Sequence, residues 1–175
     1  MGFLETLKLK QHLHIKLPGE VKEFSQKLRS QVDPRKVDII SESLEVYESS
    51  DKEFAGSVGA DNFILKKRRK LFDISLSPAL ASGTFVQEDR HIKIEASITS
   101  FRSRMYILYG ALLFLILSFF YLDLMTDDGG TQAPVIYISV FTSWGLLVLV
   151  PYFLMRRNTN RLKKNLALLL HEITA

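Results

Sequence analysis

The chain has 175 residues, no cysteine and a formal net charge of +4, so it holds one ordinary domain with accessory segments and not two full domains. The missing thiols exclude disulfide staples, thiolate nucleophiles and Cys-ligated metals. Its cations are clustered at Lys66–Lys70, at Arg102 and Arg104, and from Arg156 to Lys164; the last two clusters abut a dense apolar block from Tyr106 to Met155.

The first twenty residues contain no apolar core of signal-peptide length, so the segment is expected to be retained. "HLHIKL" alternates His12, His14 and Lys16 with Leu13, Ile15 and Leu17, which predicts a strand. After Pro18-Gly19, Val21, Phe24, Leu28 and Val32 recur at helical spacing, and Asp33-Pro34 is a stop signal. This predicts an amphipathic helix with one face to bury. The period then changes to two. "SLEVYES", "EFAGSV", "DNFILKKR", "LFDISL", "ASGTFVQ" and "RHIKIEASI" are short runs between turn residues such as Gly59-Ala60-Asp61-Asn62 and Glu88-Asp89. In the last run Ile92, Ile94, Ala96 and Ile98 alternate with Lys93, Glu95, Ser97 and Thr99, as in an antiparallel strand with one wet face.

Tyr106–Leu122 carries no charge, and neither does the longer run Ala133–Met155. A helix rises about 1.5 Å per residue against a hydrocarbon core about 30 Å thick, so both runs are expected to span as helices. With no backbone partners in lipid, two such runs joined by a short polar loop predict a helical hairpin. Tyrosines near the ends suit the membrane interface, and Pro151 is expected to bend the second helix. Arg102, Arg104, Arg156, Arg157 and Arg161 flank the outer ends of the hairpin, while "TDDGGTQAP" has no Lys or Arg. The positive-inside rule then puts both termini in the cytoplasm and that loop outside, in the inner (cytoplasmic) membrane. Beyond the second run Leu162, Leu166, Leu169, Leu170 and Ile173 oppose Arg161, Lys163, Lys164, Asn165 and Glu172. This basic amphipathic helix is expected to cover the sheet in preference to lying on the membrane.

The expected fold is therefore an α+β membrane protein: an antiparallel sheet covered by an N-terminal and a C-terminal helix, with a two-helix transmembrane hairpin inserted before the last helix. The boundaries are a cytoplasmic domain over 1–104, a hairpin over 105–155 with spans 106–124 and 134–155 and an outer loop 125–133, and a cytoplasmic helix over 156–175.

Phe54, Gly56 and Val58, then Phe63 and Leu65, then Pro78, Gly83 and Phe85, followed by an alternating strand and two apolar runs, form a spaced pattern of glycines and aromatics. In this the chain resembles a group of uncharacterised bacterial inner-membrane proteins. The resemblance covers about two thirds of the chain and implies a small cytoplasmic α+β domain on a two-pass anchor, with no activity to carry over. The segment Lys66–Pro78 departs from the pattern in being more basic.

Candidate chemistry is sparse. His12, His14 and His91 could approach a metal only if their strands were adjacent, and carboxylates at ligand spacing are missing, so solvent-facing histidines are expected. His171 belongs to a helix end, where its charge suits the dipole. No phosphate-binding loop, paired-carboxylate signal or nucleophile motif is present. No enzyme activity, catalytic residue, cofactor or metal is therefore expected. Lys66, Lys67, Arg68, Arg69 and Lys70 are the candidate contact for anionic lipid headgroups, against the plainer role of a charged loop guarding a sheet edge. The run lacks interleaved aromatics, which argues against nucleic acid. Two functional classes follow: an anchored interaction or scaffold protein that docks a protein partner or self-associates, or a lipid- or ligand-binding sensor using Lys66–Lys70. A transporter subunit is a distant third, because neither run carries an ionisable residue deep in the membrane.

Overall fold

A computed structural model of the protein describes residues 2–34, 52–68, 78–125 and 134–174. The elements are α1 (Phe3–Thr6), β1 (Lys10–Pro18), α2 (Val21–Gln31), β2 (Val32–Pro34), β3 (Phe54–Val58), β4 (Asn62–Lys67), β5 (Leu80–Glu88), β6 (His91–Thr99), α3 (Ser103–Met125) and α4 (Pro134–Thr174). The chain divides into two compact units, Met1–Phe101 with Met155–Ala175, and Arg102–Leu154.

In the first unit the six strands form one sheet in the order β1-β6-β5-β4-β3-β2. Each predicted period-two run within the described residues is a strand; "SLEVYES" and "LFDISL" lie outside them. The sheet is mixed, not antiparallel as expected. β2 pairs parallel to β3, with Val32 opposite Phe54 and Pro34 opposite Gly56. The stop signal Asp33-Pro34 ends α2 but continues as strand, because Val32 is already extended at the helix C-terminus. A proline is tolerated at such a strand end. The parallel pairing is allowed by the length of chain between β2 and β3, since a parallel pair needs a crossover of roughly a dozen residues or more.

Alternation puts Leu13, Leu17, Phe63, Leu65, Ala81, Phe85, Ile92, Ile94, Ala96 and Ile98 in one core with Phe24 and Leu28 of α2 and Leu162, Leu166, Leu170 and Ile173 of α4. The C-terminal stripe therefore covers the sheet, as its spacing predicts. The Phe85 ring is the hinge of this core: Phe24 meets it edge-on at 5.7 Å and Phe63 stacks on it at 5.9 Å. Phe63 lies opposite Gly83 in the register, and a Cβ at Gly83 would come 2.6 Å from the Phe63 ring. Gly83 therefore makes the space that the ring fills. Gly56 has φ +154°, and a Cβ there would stand 1.9 Å from the Ile64 carbonyl oxygen. Gln87 ties the β1 and β5 ends together. Its Oε1 accepts from Val21 N–H at 2.9 Å and its Nε2 donates to the carbonyls of Gly19 and Asp89. The α2 N-terminus thus gains the cap that Glu20 does not supply.

In the second unit α3 runs beside the N-terminal part of α4. The Tyr109 hydroxyl donates to the Val148 carbonyl at 3.3 Å, and the Phe120 and Phe141 rings are 6.1 Å apart. Low positions on one helix thus meet high positions on the other, the signature of antiparallel neighbours. Among the described residues one helix, Tyr137–Thr174 within α4, is long and apolar enough to cross a membrane; the apolar stretch of α3, Met105–Tyr121, is shorter. At about 1.5 Å per residue that stretch extends about 25 Å, a few ångströms less than a typical hydrocarbon core. Two full-length spans were expected and one meets the criterion. Of the expected outer loop over 125–133, Met125 is the last residue of α3 and residues 126–133 lie outside the described residues. The second apolar run and the C-terminal amphipathic stretch, expected as separate helices, form the single helix α4, with Pro151 inside it.

Candidate interaction surfaces of the sheet unit

The strand face turned away from α2 and α4 carries the polar half of each alternation. Successive strands bring His12, Ser97, Ser82 and Ile64 into one row, and His14, Glu95, Thr84 and Asn62 into the next. Small residues on β5 and β6 lie between the imidazoles on β1 and the side chains on β4, leaving a shallow trough of about 490 Å³. Its lining carries the hydroxyls of Ser82, Thr84 and Ser97 beside the His12 and His14 imidazoles and the Glu95 carboxylate.

Ion pairs lace the β1–β6–β5 corner of this face. Lys16 Nζ lies 2.8 Å from Glu88 Oε2, Lys93 Nζ lies 3.0 Å from Glu95 Oε1, and His12 Nε2 lies 3.0 Å from Glu5 Oε1. Glu88 is held below the usual carboxylate range chiefly by the Lys16 hydrogen bond, and Glu95 chiefly by that from Lys93. Glu5 is lowered first by the Gly2 backbone N–H and then by His12. Lys93 is raised in turn by Glu95. Glu95 is exposed and Glu5, Glu88 and Lys93 are half-buried at the surface, so their pairs add little to stability.

The histidines behave as the alternation predicts. The His12 and His14 rings stack 6.4 Å apart on one strand face, while His91 pairs with Pro18 at the far end of β6. Among the described residues no three His, Cys, Asp or Glu side chains gather as a metal site. His171 Nδ1 donates to the Ala167 carbonyl at 2.7 Å, on the helix face assigned to it.

The basic run does not present one continuous face. Lys66 and Arg68 are buried, at 2% and 8% exposure. Lys66 sits mid-sheet between Ala55 and Leu80, and Arg68 faces Asp33 at 3.8 Å. Lys67 pairs with the Glu53 carboxylate. Arg69 and Lys70 lie outside the described residues. Of the cations flanking the apolar runs, Arg157 and Arg161 are exposed and Arg102 and Arg156 half-buried; the Arg104 side chain lies outside the described residues.

Two features are not evident in the periodicity. One is a buried hydroxyl pair: Ser100 Oγ and Thr159 Oγ1 lie 2.7 Å apart, and Thr159 also hydrogen-bonds to the Met155 carbonyl. Its only signal is a threonine placed four residues after Met155 on the stripe leading to Leu162 and Leu166. The other is the outer edge of β1, which among the described residues pairs with β6 alone. No protein-family model and no curated protein matches the chain.

Proposed function

We propose that the chain is a membrane-anchored interaction module. Helix α3 and the apolar part of α4 form a two-pass transmembrane hairpin in the inner membrane, with both termini in the cytoplasm, and the sheet unit docks a protein partner. The observation that carries this is the apolar surface of the second unit. Ile107, Phe114 and Leu117 on α3 and Ile138, Leu146 and Phe153 on α4 are all more than half exposed, whereas soluble monomers rarely expose apolar patches beyond a few hundred Å². If α4 crosses the bilayer, α3 packed antiparallel along it crosses too, and its short apolar stretch is accommodated by local thinning or by interfacial side chains. The arginines flanking the outer ends, against a loop without Lys or Arg, support the orientation. The same unit supports membrane lipid as the anchor's surroundings, in line with the group of bacterial inner-membrane proteins that the chain resembles.

The burial of Lys66 and Arg68 gives the lipid-sensor reading less support. The polar trough and the absence of a nucleophile motif favour docking over catalysis.

Because the chain has no cysteine, single introduced thiols test the topology. Asp127→Cys should react with a membrane-impermeant maleimide applied from outside, and Ser30→Cys only after the inner membrane is permeabilised. Release of the protein by alkaline carbonate would sink the anchor. Equal labelling of both sites from outside would sink the orientation.

A further inference from the structure

The β1–β6 hydrogen bonds have a readable parity. Ser100 N–H donates to the Leu9 carbonyl and Gly19 N–H donates to the Arg90 carbonyl, and the register between them runs unbroken from Lys10–Thr99 to Pro18–His91. In an antiparallel ladder, hydrogen-bonded pairs alternate with pairs whose N–H and C=O groups point the other way. The odd residues from Leu9 to Gly19 therefore bond to β6. Lys10, His12, His14 and Lys16 turn their backbone groups outward, where among the described residues no strand lies. Pro18 fits this parity, since its missing N–H falls at an outward position.

We propose that this edge is a strand-addition site that takes an extended acidic segment of a protein partner. The backbone supplies a donor and an acceptor at four successive outward positions, and the side chains at those positions set the charge. Lys10, His12, His14 and Lys16 border the edge on the trough face. On the opposite face the Gln11–Asn160 hydrogen bond brings α4 alongside, and Lys164, one turn beyond Asn160 on the same helix flank, is exposed. Glu5, Glu88 and Glu95 engage some of these cations through exposed pairs, which a partner's carboxylates can replace at little cost.

The same charges select against a second copy. Antiparallel self-pairing centred on Leu13 sets Lys10 opposite Lys16, and like charges directly opposite are unfavourable. Lysine on an edge strand is a known guard against self-aggregation, and here it leaves the edge open to a strand of opposite charge. Main-chain bonds would give the affinity and alternate side chains the specificity. The proposal rests on the interaction reading of the sheet unit and is independent of the membrane crossing.

The test uses the full chain in detergent micelles and a fluorescent peptide of about eight residues alternating Glu with Val and Thr, set against its Lys-for-Glu counterpart. The acidic peptide should bind at least about tenfold more tightly than the basic one. His14→Pro removes one outward N–H and leaves the β6 ladder intact. It should weaken binding about tenfold with an unchanged circular dichroism spectrum. Should that variant fold poorly, the pair Lys10→Glu and Lys16→Glu should reverse the preference between the peptides. No binding, equal binding of both peptides, or binding indifferent to these variants would overturn the proposal. So would cross-linked dimers that His14→Pro abolishes, which would assign the edge to a second copy. If the edge fails while a partner cross-links through Ser82 or Ser97 in the trough, the edge is refuted and the interaction reading stands; if both fail, both fall.

Discussion

Ser100 Oγ and Thr159 Oγ1 are 2.7 Å apart, and neither residue has measurable exposure. Ser100 follows the last strand just before the chain leaves the sheet unit, and Thr159 follows its return at Met155. The bond therefore ties together, inside one unit, the two places where the apolar segment is attached. Changing either side removes a buried hydrogen bond. Thr159→Val should cost about 1–3 kcal/mol in urea unfolding of the detergent-solubilised chain. Ser100→Ala with Thr159→Val should cost less than the sum of the single changes, because both remove the same hydrogen bond. Strict additivity would mean that the two hydroxyls are not coupled.

The tail of α4 offers a direct comparison of two nearby leucines. Leu166 is fully buried in the sheet core, whereas Leu168, two residues on, is 69% exposed. Leu166→Ala should destabilise by about 2–5 kcal/mol, and Leu168→Ala should stay within about 0.5 kcal/mol of the parent. Thermal unfolding followed by circular dichroism reads both. Equal effects would mean that the tail does not pack on the sheet.

Gly83 and Phe63 form a compensating pair across β5 and β4. Gly83→Ala drives a Cβ toward the Phe63 ring and also toward the Glu95 carbonyl oxygen, each at 2.6 Å, so a loss of about 1–3 kcal/mol is expected. Trimming the ring with Phe63→Leu should restore part of it and no more, because the backbone oxygen cannot yield. Gly56→Ala should be worse and unrescuable, since its obstacles are backbone atoms, the Ile64 carbonyl oxygen at 1.9 Å and the Leu65 Cα at 3.0 Å. Denaturant midpoints for the three variants order the effects.

These residues also mark what could be read from the chain. Period-two runs gave β1, β3, β4, β5 and β6, and the i, i+4 leucines gave the covering tail, because both patterns are set by one buried face. The parallel placement of β2 was not legible. Three residues are too few for a period, and Pro34 reads as a stop whether strand or loop follows. The continuity of α4 was hidden by Pro151 and by the abrupt change from apolar to basic composition at Arg156, neither of which ends a helix by itself. Burial of Lys66 was illegible for a related reason: five cations in a row look solvated, while a sheet decides exposure one residue at a time. The β1 edge needed the hydrogen-bond parity, which sequence does not encode directly.

The ion pairs on the trough face predict a response to acid with a definite sign. Glu5, Glu88 and Glu95 all have folded-state pKa values lowered from 4.5. A lowered carboxylate stabilises the fold at pH above its unfolded value and loses that contribution as the pH falls through its folded value. Stability should therefore be level from neutral pH to about 5 and decline below it. Lys93, raised from 10.5, acts in the opposite sense: its contribution is complete below the ordinary lysine range and is lost as the pH rises past the folded value. Urea midpoints across pH 3–7 check the acid limb in the parent and in Glu88→Gln with Glu95→Gln. The double variant should show a shallower decline at unchanged pH 7 cooperativity. An identical slope would mean that the Lys16–Glu88 and Lys93–Glu95 pairs do not persist in solution, and that the carboxylates near β1 are already free to give way to a partner's.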